Sequence, residues 1–230
     1  MILRAENIIK TYMGEAVISV ADFHVEKGET VSVIGPSGVG KTTLFNILSG
    51  IDRPDSGRVV FRDKDITGKP GVLGYMQQKD LLLEHRTLMR NICLPMILKG
   101  EKKEVAEAEV RSFLADFGLE GCESFYPRQL SGGMRQRAAL LRTFLYTRDL
   151  LLLDEPFSAL DEITRLSLHE WYKIIRSDYG TSAVLITHSI TEALALSDRI
   201  YIMNGKPGSF VAELRADGTC AEEITELLRI

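Results

Sequence analysis

The first third of the chain alternates short apolar runs with turn residues, a pattern typical of strands joined by turns. These runs predict strands over residues 2–9, 16–25, 29–34 and 58–62. The third run leads into a glycine-rich segment, and a helix is predicted over 41–49, ending at Gly50, a residue that favours a helix end. We therefore expect mainly β structure here, interrupted by one helix.

The period changes between about residues 81 and 142, where apolar positions follow a helical repeat. Along residues 101–117, the predicted apolar helical face consists of Val105, Ala108, Phe113, Leu114 and Phe117. Sheet-type runs return at 150–153 and 183–187, and both are nearly continuous in apolar residues, as in parallel strands covered on both faces. A helix predicted over 160–178 joins them into a βαβ crossover. The pattern predicts a helical insertion between two sheet-forming parts.

Charge and cysteine content narrow the classes of function. The 28 basic and 32 acidic residues give a formal net charge of −4, which argues against non-specific nucleic-acid binding. Cys93, Cys122 and Cys220 are odd in number and widely spaced, so we expect free thiols rather than a zinc site or a disulfide framework. The N-terminal residues do not resemble a signal peptide and no run of about 18 apolar residues occurs, which predicts a soluble chain.

A phosphate-binding loop follows the third predicted strand and opens the first predicted helix. Its residues are Gly35, Pro36, Ser37, Gly38, Val39, Gly40, Lys41 and Thr42, which fit G-x-x-x-x-G-K-[ST] at every fixed position. Glycines let backbone N–H groups curl around phosphate oxygens, and the helix N-terminus adds positive potential. We expect Lys41 to reach the β- and γ-phosphates, Thr42 to ligate Mg²⁺, and Thr43 to add a phosphate contact.

A second nucleotide element is predicted at the end of the leucine run 150–153. Asp154 emerges there at the carboxyl end of a buried strand, where ligands sit in open parallel sheets, and is the expected partner of Mg²⁺. The adjacent Glu155 is the better candidate to polarise an attacking water, because the metal already occupies Asp154. Alone, the pair could be a solvated acidic turn before a proline, and the phosphate loop favours the catalytic interpretation.

A second anion site is predicted at residues 130–137, Leu-Ser-Gly-Gly-Met-Arg-Gln-Arg. Ser131, Gly132 and Gly133 would present a hydroxyl and backbone amides at a helix N-terminus. With the two preceding elements, this segment makes the chain resemble the ATP-binding subunits of ATP-binding-cassette (ABC) transporters over essentially its whole length. The segment resembles that family's signature motif, which completes the ATP site of the other subunit. The resemblance implies that Ser131 and Gly133 contact the γ-phosphate held by Lys41 of a second copy.

The resemblance also implies a fold and its divisions. We expect an α/β protein with a RecA-like P-loop NTPase core, an antiparallel β subdomain and an inserted α-helical subdomain. The single ABC ATPase domain would span 1–230, with the core and β subdomain at about 1–78 and 146–230 and the helical subdomain at about 79–145.

Further site residues follow from the resemblance one at a time. Tyr12 occupies the place of the ring that stacks on adenine, although a lone tyrosine is more often an ordinary strand residue. Gln78 matches the glutamine that senses Mg²⁺ and the attacking water, and the doublet with Gln77 leaves open which amide is used. Residues 158–161 match the loop that helps build the dimer interface. His188 matches the switch histidine that contacts the γ-phosphate, although a lone histidine is usually structural.

The implied function is ATP hydrolysis with Mg²⁺ in a head-to-tail homodimer on integral membrane permease subunits. A lone cassette favours solute import at the cytoplasmic face of the inner membrane, with a solute-binding protein as an indirect partner and no nucleic acid. Residues 78–92 resemble the surface that receives the permease, or form a joint between subdomains. Residues 206–209 resemble a turn found in the nitrate, sulfonate, taurine and thiamine-precursor group. Residues 82–85, Leu-Leu-Glu-His, differ from the Leu-Leu-Pro-Trp that members of this group usually carry there. The alternatives are an ATPase of a lipoprotein or peptide exporter, a soluble ABC ATPase that remodels protein or nucleic acid, and a P-loop kinase.

Overall fold

A computed structural model describes residues 1–158, 160–216 and 221–229. Its ten strands are β1 Leu3–Tyr12, β2 Glu15–Val25, β3 Thr30–Ile34, β4 Ser56–Phe61, β5 Lys64–Asp65, β6 Gly74–Met76, β7 Leu150–Asp154, β8 Ser182–Ile186, β9 Arg199–Asn204 and β10 Ser209–Arg215. Its seven α-helices are α1 Lys41–Leu48, α2 Leu88–Leu98, α3 Lys103–Leu114, α4 Gly132–Tyr146, α5 Glu162–Tyr179, α6 Ile190–Leu196 and α7 Ala221–Arg229. Ala159 of the predicted dimer loop and Cys220 lie outside the described residues.

The strands form two sheets. An antiparallel sheet has the order β2-β1-β4-β5, and a six-stranded sheet has the order β10-β9-β3-β8-β7-β6. In the larger sheet, all neighbouring strands are parallel except β10, which runs antiparallel to β9. The central strands β3, β7 and β8 are buried at every residue. The burial of β7 and β8 confirms the interpretation of the runs at 150–153 and 183–187 as strands covered on both faces.

Helices α2, α3 and α4 lie between β6 and β7, where the sequence predicts a helical insertion. They share one core with α5 and one face of the larger sheet, and Ile92, Val110, Leu141 and Phe144 belong to it. The other face packs with α1 and the antiparallel sheet in a second core. In the part of the chain that the structure describes, no helix is long and apolar enough to span a membrane.

The predicted apolar face of the helix at 101–117 is partly wrong. Val105 and Ala108 are exposed, whereas Ala106, Val110, Phe113 and Leu114 are the buried residues of α3. Residues 106, 110, 113 and 117 follow each other at spacings of four, three and four, which keeps one stripe toward the core. Position 105 lies about 100° away from position 106 around the helix axis, so its valine faces solvent.

Three helix boundaries have clear local causes. Helix α5 begins at Glu162 rather than at the predicted residue 160, because the Asp161 carboxylate accepts a hydrogen bond from Thr164 N (3.0 Å) and caps it. It ends at Gly180, whose φ of 59° is left-handed. Helix α1 closes at Gly50 as predicted, with φ of 76° there.

Candidate nucleotide site

The phosphate loop joins β3 to α1 and is packed tightly on its neighbours. Gly40 has φ of 108°, and a Cβ there would overlap Ile18 Cγ2 of β2. A Cβ at Gly35 would overlap the Met203 carbonyl of β9. Glycine is therefore required at both ends, and the loop backbone lies directly against two strands. This close packing holds the loop amides in one conformation at the N-terminus of α1.

Lys41 begins α1 and turns its ammonium back over the loop. Its Nζ donates to the carbonyls of Gly35 (2.7 Å) and Pro36 (2.9 Å). Burial lowers the pKa of Lys41, and the carboxylates of Glu155 and Asp154 oppose that fall. The ammonium thus lies where two acidic side chains and the loop backbone converge, as expected of a group that binds phosphate charge.

Asp154 ends β7 inside the protein and is held by a residue that the sequence analysis missed. Burial raises the pKa of Asp154 and the adjacent Glu155 adds to the rise, while the Tyr75 hydroxyl and Lys41 oppose it. Tyr75 donates to Asp154 Oδ2 at 3.2 Å. Tyr75 lies on β6, which pairs in parallel with β7, and burial raises its own pKa as well. A cation beside Asp154 would offset the cost of this buried charge.

The Mg²⁺ ligands predicted from the sequence are all oxygen donors. They are the exposed Thr42 hydroxyl, the Asp154 carboxylate and the Gln78 amide oxygen. Among residues 1–158, 160–216 and 221–229, no group of three His, Cys, Asp or Glu side chains forms a metal centre. That donor set fits Mg²⁺, which keeps several waters and substrate phosphates and needs few protein ligands.

Glu155 is the point where three loops meet. Its φ of 47° is unusual for a residue other than glycine, and its N–H donates to Ile186 O at 2.9 Å. Gln78 Nε2, after β6, donates to Glu155 Oε2 at 3.0 Å. His188 Nδ1, after β8, lies 3.4 Å from Glu155 Oε1. The structure therefore brings Glu155, Gln78 and His188 together, and it selects Gln78 from the doublet as the residue at this carboxylate.

A cleft of about 840 Å³ opens beside this cluster. Its lining includes Gln78, Gly132, Glu155, Ser158 and His188. The start of the predicted signature segment, at Gly132, therefore borders the same cleft as Glu155 and His188. A water or a phosphate in that cleft would meet a carboxylate acceptor, an amide and an imidazole, which is a set able to orient and deprotonate water.

Ser131 caps α4, as the motif predicts. Its Oγ accepts from Met134 N at 3.2 Å, and its side chain is exposed. Gly132 and Gly133 form the first turn, where a Cβ at Gly133 would lie 3.1 Å from Thr164 Cγ2 of α5. The hydroxyl and the first amides of α4 are thus presented to solvent beside α5, in the arrangement of an anion-binding helix N-terminus.

Tyr12 lies apart from these contacts, at the end of β1. The residue is 45% exposed, and Lys10 Nζ is 5.1 Å from the ring centroid. Its hydroxyl donates to Asp52, and Lys10 Nζ also donates to Asp52 Oδ1 at 2.8 Å. That hydrogen bond raises the pKa of Tyr12. The ring is an accessible, anchored aromatic face able to stack on a planar ligand.

The fold and the site together define a P-loop nucleotide hydrolase. The model of the ABC transporter family matches residues 18–158, more than half of the 230-residue chain. The formylaminopyrimidine import ATP-binding protein ThiZ of Halalkalibacterium halodurans is 44% identical over 83% of this chain and 74% of its own length. The taurine import ATP-binding protein TauB of Pelagibacter ubique is 41% identical over 87% of this chain and 77% of its own length.

A solved structure gives the same result for the fold. The dimeric post-hydrolysis cassette MJ0796, bound to ADP and phosphate, matches with a TM-score of 0.79 at 29% identity over 94% of this chain and 99% of that chain. The chain belongs to the ABC transporter family, as one of its ATP-binding, ATP-hydrolysing subunits.

Proposed function

We propose that this chain is the ATPase subunit of a bacterial solute importer and that Glu155 is its general base. The observation that carries the catalytic assignment is the contact of Glu155 with both Gln78 and His188, at a strained φ. The import assignment is supported by relatives whose names specify import of a formylaminopyrimidine and of taurine. We place the solute in the nitrate, sulfonate, taurine and thiamine-precursor group on the same ground.

In the proposed reaction, ATP phosphates lie along the phosphate loop and Lys41 transfers its hydrogen bonds from the loop carbonyls to the β- and γ-phosphates. Glu155 accepts the proton of the attacking water, Gln78 orients that water, and His188 donates to the γ-phosphate. Mg²⁺ held by Thr42, Asp154 and Gln78 would neutralise charge on the phosphates. Tyr12 would stack on adenine through its exposed ring face.

The catalytic site is completed, in this proposal, by a second copy of the chain in a head-to-tail homodimer. Ser131, Gly132 and Gly133 would place the N-terminus of α4 on the γ-phosphate held by Lys41 of the second copy. The solvent-facing Ser131 hydroxyl supports this role. We keep the division into a core of about 1–78 and 146–230 and a helical arm of about 79–145, which would carry α4 toward the partner site.

Integral membrane permease subunits are the proposed second partner, at the cytoplasmic face of the cell membrane. A groove of about 540 Å³ lies between the helical segment and the sheet. Ile51, Leu81 and Leu98 line it with exposed apolar surface. Lys99 and Arg142 also line the groove. An amphipathic permease helix fits such a surface, and a solute-binding protein would act through the permease.

The test replaces Glu155 by glutamine in the full-length chain. Glu155→Gln is expected to bind Mg²⁺-ATP, slow hydrolysis by at least about 100-fold and elute as an ATP-stabilised dimer in size exclusion. Glu120→Gln, an exposed acid on another face, is the matched control and should behave like the wild type. A wild-type hydrolysis rate in Glu155→Gln would exclude Glu155 as the base.

The import assignment has its own test. Tagged protein purified from membranes of its native host is expected to bring down an integral membrane subunit. Reconstitution of that complex with its binding protein should give ATP-dependent uptake into vesicles. If the protein copurifies with no membrane subunit, the importer role proposed for this chain is wrong.

A further inference from the structure

Behind the catalytic cluster, a buried carboxylate anchors the loop that carries His188. Glu192 lies in the first turn of α6 and is only 5% exposed. Its Oε2 accepts from Thr187 Oγ1 at 2.8 Å, and Thr187 Oγ1 in turn accepts from Ser189 N at 3.0 Å. The residues immediately before and after His188 are thus tied through one hydroxyl to one buried acid, which restricts the position of the imidazole.

The other oxygen of Glu192 faces a second buried polar group. His169 Nε2, on α5, lies 3.9 Å from Glu192 Oε1, and neither atom has a hydrogen-bond partner. Burial raises the pKa of Glu192 and lowers that of His169. The charged groups whose fields act on Glu192 are Arg165 of α5, His188 and Glu155. A buried acid and imidazole held face to face cost folding free energy, so packing alone does not account for them.

Helix α5 also holds the loop that carries Glu155. The His169 ring packs edge-on against Phe157, with centroids 5.1 Å apart. Arg165 Nη2 donates to Leu160 O at 2.9 Å. Ser158 N and Oγ both donate to Glu155 O, at 3.2 and 3.0 Å. The loop after β7 is therefore held from α5, while the loop after β8 is held from α6.

We infer that Glu192 and His169 are positioning residues, which fix His188 and Glu155 relative to each other for hydrolysis by joining α6 to α5 behind them. The two loops meet at the 3.4 Å contact between His188 and Glu155, and meet again through Thr187, Glu192, His169 and Phe157. The inference rests on the proposed function, because the distance between His188 and Glu155 matters only if these two residues act on the γ-phosphate and the attacking water.

The test measures steady-state ATP hydrolysis by the full-length chain with two variants of the network. Glu192→Ala and Thr187→Val are each expected to lower kcat about tenfold, since a displacement of 1 Å at a reacting group costs up to about 100-fold. The KM for ATP should stay within about twofold, because neither substitution replaces a residue of the phosphate loop or Tyr12. Glu192→Gln should recover most of kcat, because its amide oxygen can still accept from Thr187.

The control variant replaces a histidine that belongs to a separate polar network. His24 contacts Arg199 and Tyr201 beside β1 and β9, and His24→Gln should leave kcat unchanged. NMR of the imidazole signals supplies a direct readout, since Thr187→Val should shift or broaden the His188 ring signals and His24→Gln should not. If Glu192→Ala fails to fold, the nearly isosteric Thr187→Val variant decides the question.

Two results would overturn the inference alone: folded Thr187→Val and Glu192→Ala with kcat within twofold of the wild type, or Glu192→Gln as impaired as Glu192→Ala. In either case the proposed function would stand, as long as hydrolysis by the wild type still depends on Glu155. A wild type that lacks Glu155-dependent hydrolysis would instead remove the proposed base, and the inference with it.

Discussion

Gly40→Ala tests the contact that shapes the phosphate loop. Gly40 has φ of 108°, and the added Cβ would overlap Ile18 Cγ2, a fully buried side chain of β2. Gly38 in the same loop also has a positive φ, 80°, but nothing lies within 4 Å of its Cβ position. The pair therefore separates backbone strain, which both alanines introduce, from the steric overlap, which only Gly40→Ala introduces.

The expected magnitude follows from these two contributions. A left-handed backbone costs an L-residue about 1–2 kcal/mol, so Gly38→Ala should lose about that much free energy of unfolding. Overpacking a dense core adds about 1–3 kcal/mol, which brings Gly40→Ala to a loss of about 2–5 kcal/mol. With a urea m-value of about 2–3 kcal/mol/M, the unfolding midpoint of Gly40→Ala should fall by about 0.7–2.5 M without a change in m.

The assay is urea unfolding of the four members of a double-mutant cycle with Ile18→Ala. Ile18→Ala removes Cγ2 and should itself cost about 2–5 kcal/mol. In that background the Gly40→Ala penalty should shrink by about 1–3 kcal/mol, because the overlapping atom is gone. Additive effects, or a Gly40→Ala loss no larger than that of Gly38→Ala, would refute the packing of the loop on β2.

Two further predictions concern the charge at β7 and the aromatic ring at β1. Since burial and Glu155 raise the pKa of Asp154, the folded state binds that proton more tightly than the unfolded state, and stability is lost as pH rises through the folded pKa. Asp154→Asn should therefore raise the Tm at about pH 7, by about 2–4 °C for a gain of ~1 kcal/mol, and the gap should narrow toward about pH 4. Calorimetry at both pH values measures the difference in Tm between Asp154→Asn and the wild type, and an equal difference at the two pH values would contradict the prediction. Tyr12→Ala should weaken equilibrium ATP binding about tenfold through lost stacking, whereas Tyr12→Phe keeps the ring and should bind within about threefold. Equal losses in a fluorescent-ATP titration would show that the Asp52 hydrogen bond, rather than the ring, matters.

Local sequence patterns were sufficient for six of the ten described strands, for the phosphate loop and for the end of α1 at Gly50. Each depends on residues close together in the chain, such as the glycine at φ of 108° before Lys41. The apolar face of α3 was harder to predict, because the stripes that start at Val105 and at Ala106 lie one residue apart. Only contact with α2 and α4 selects the second stripe.

The supports of the site were beyond sequence reasoning for a different physical reason. Tyr75 and Asp154 are 79 residues apart in the sequence. They meet because β7, which follows β6 after three helices, pairs with it in parallel, with Tyr75 opposite Leu152. A shift of one residue in that register would turn the hydroxyl to the opposite face of the sheet. Glu192 similarly depends on the angle at which α6 packs on α5. The groups proposed to contact ATP thus follow from loop spacing, whereas the groups that hold them follow from strand register and helix packing, which only the folded chain determines.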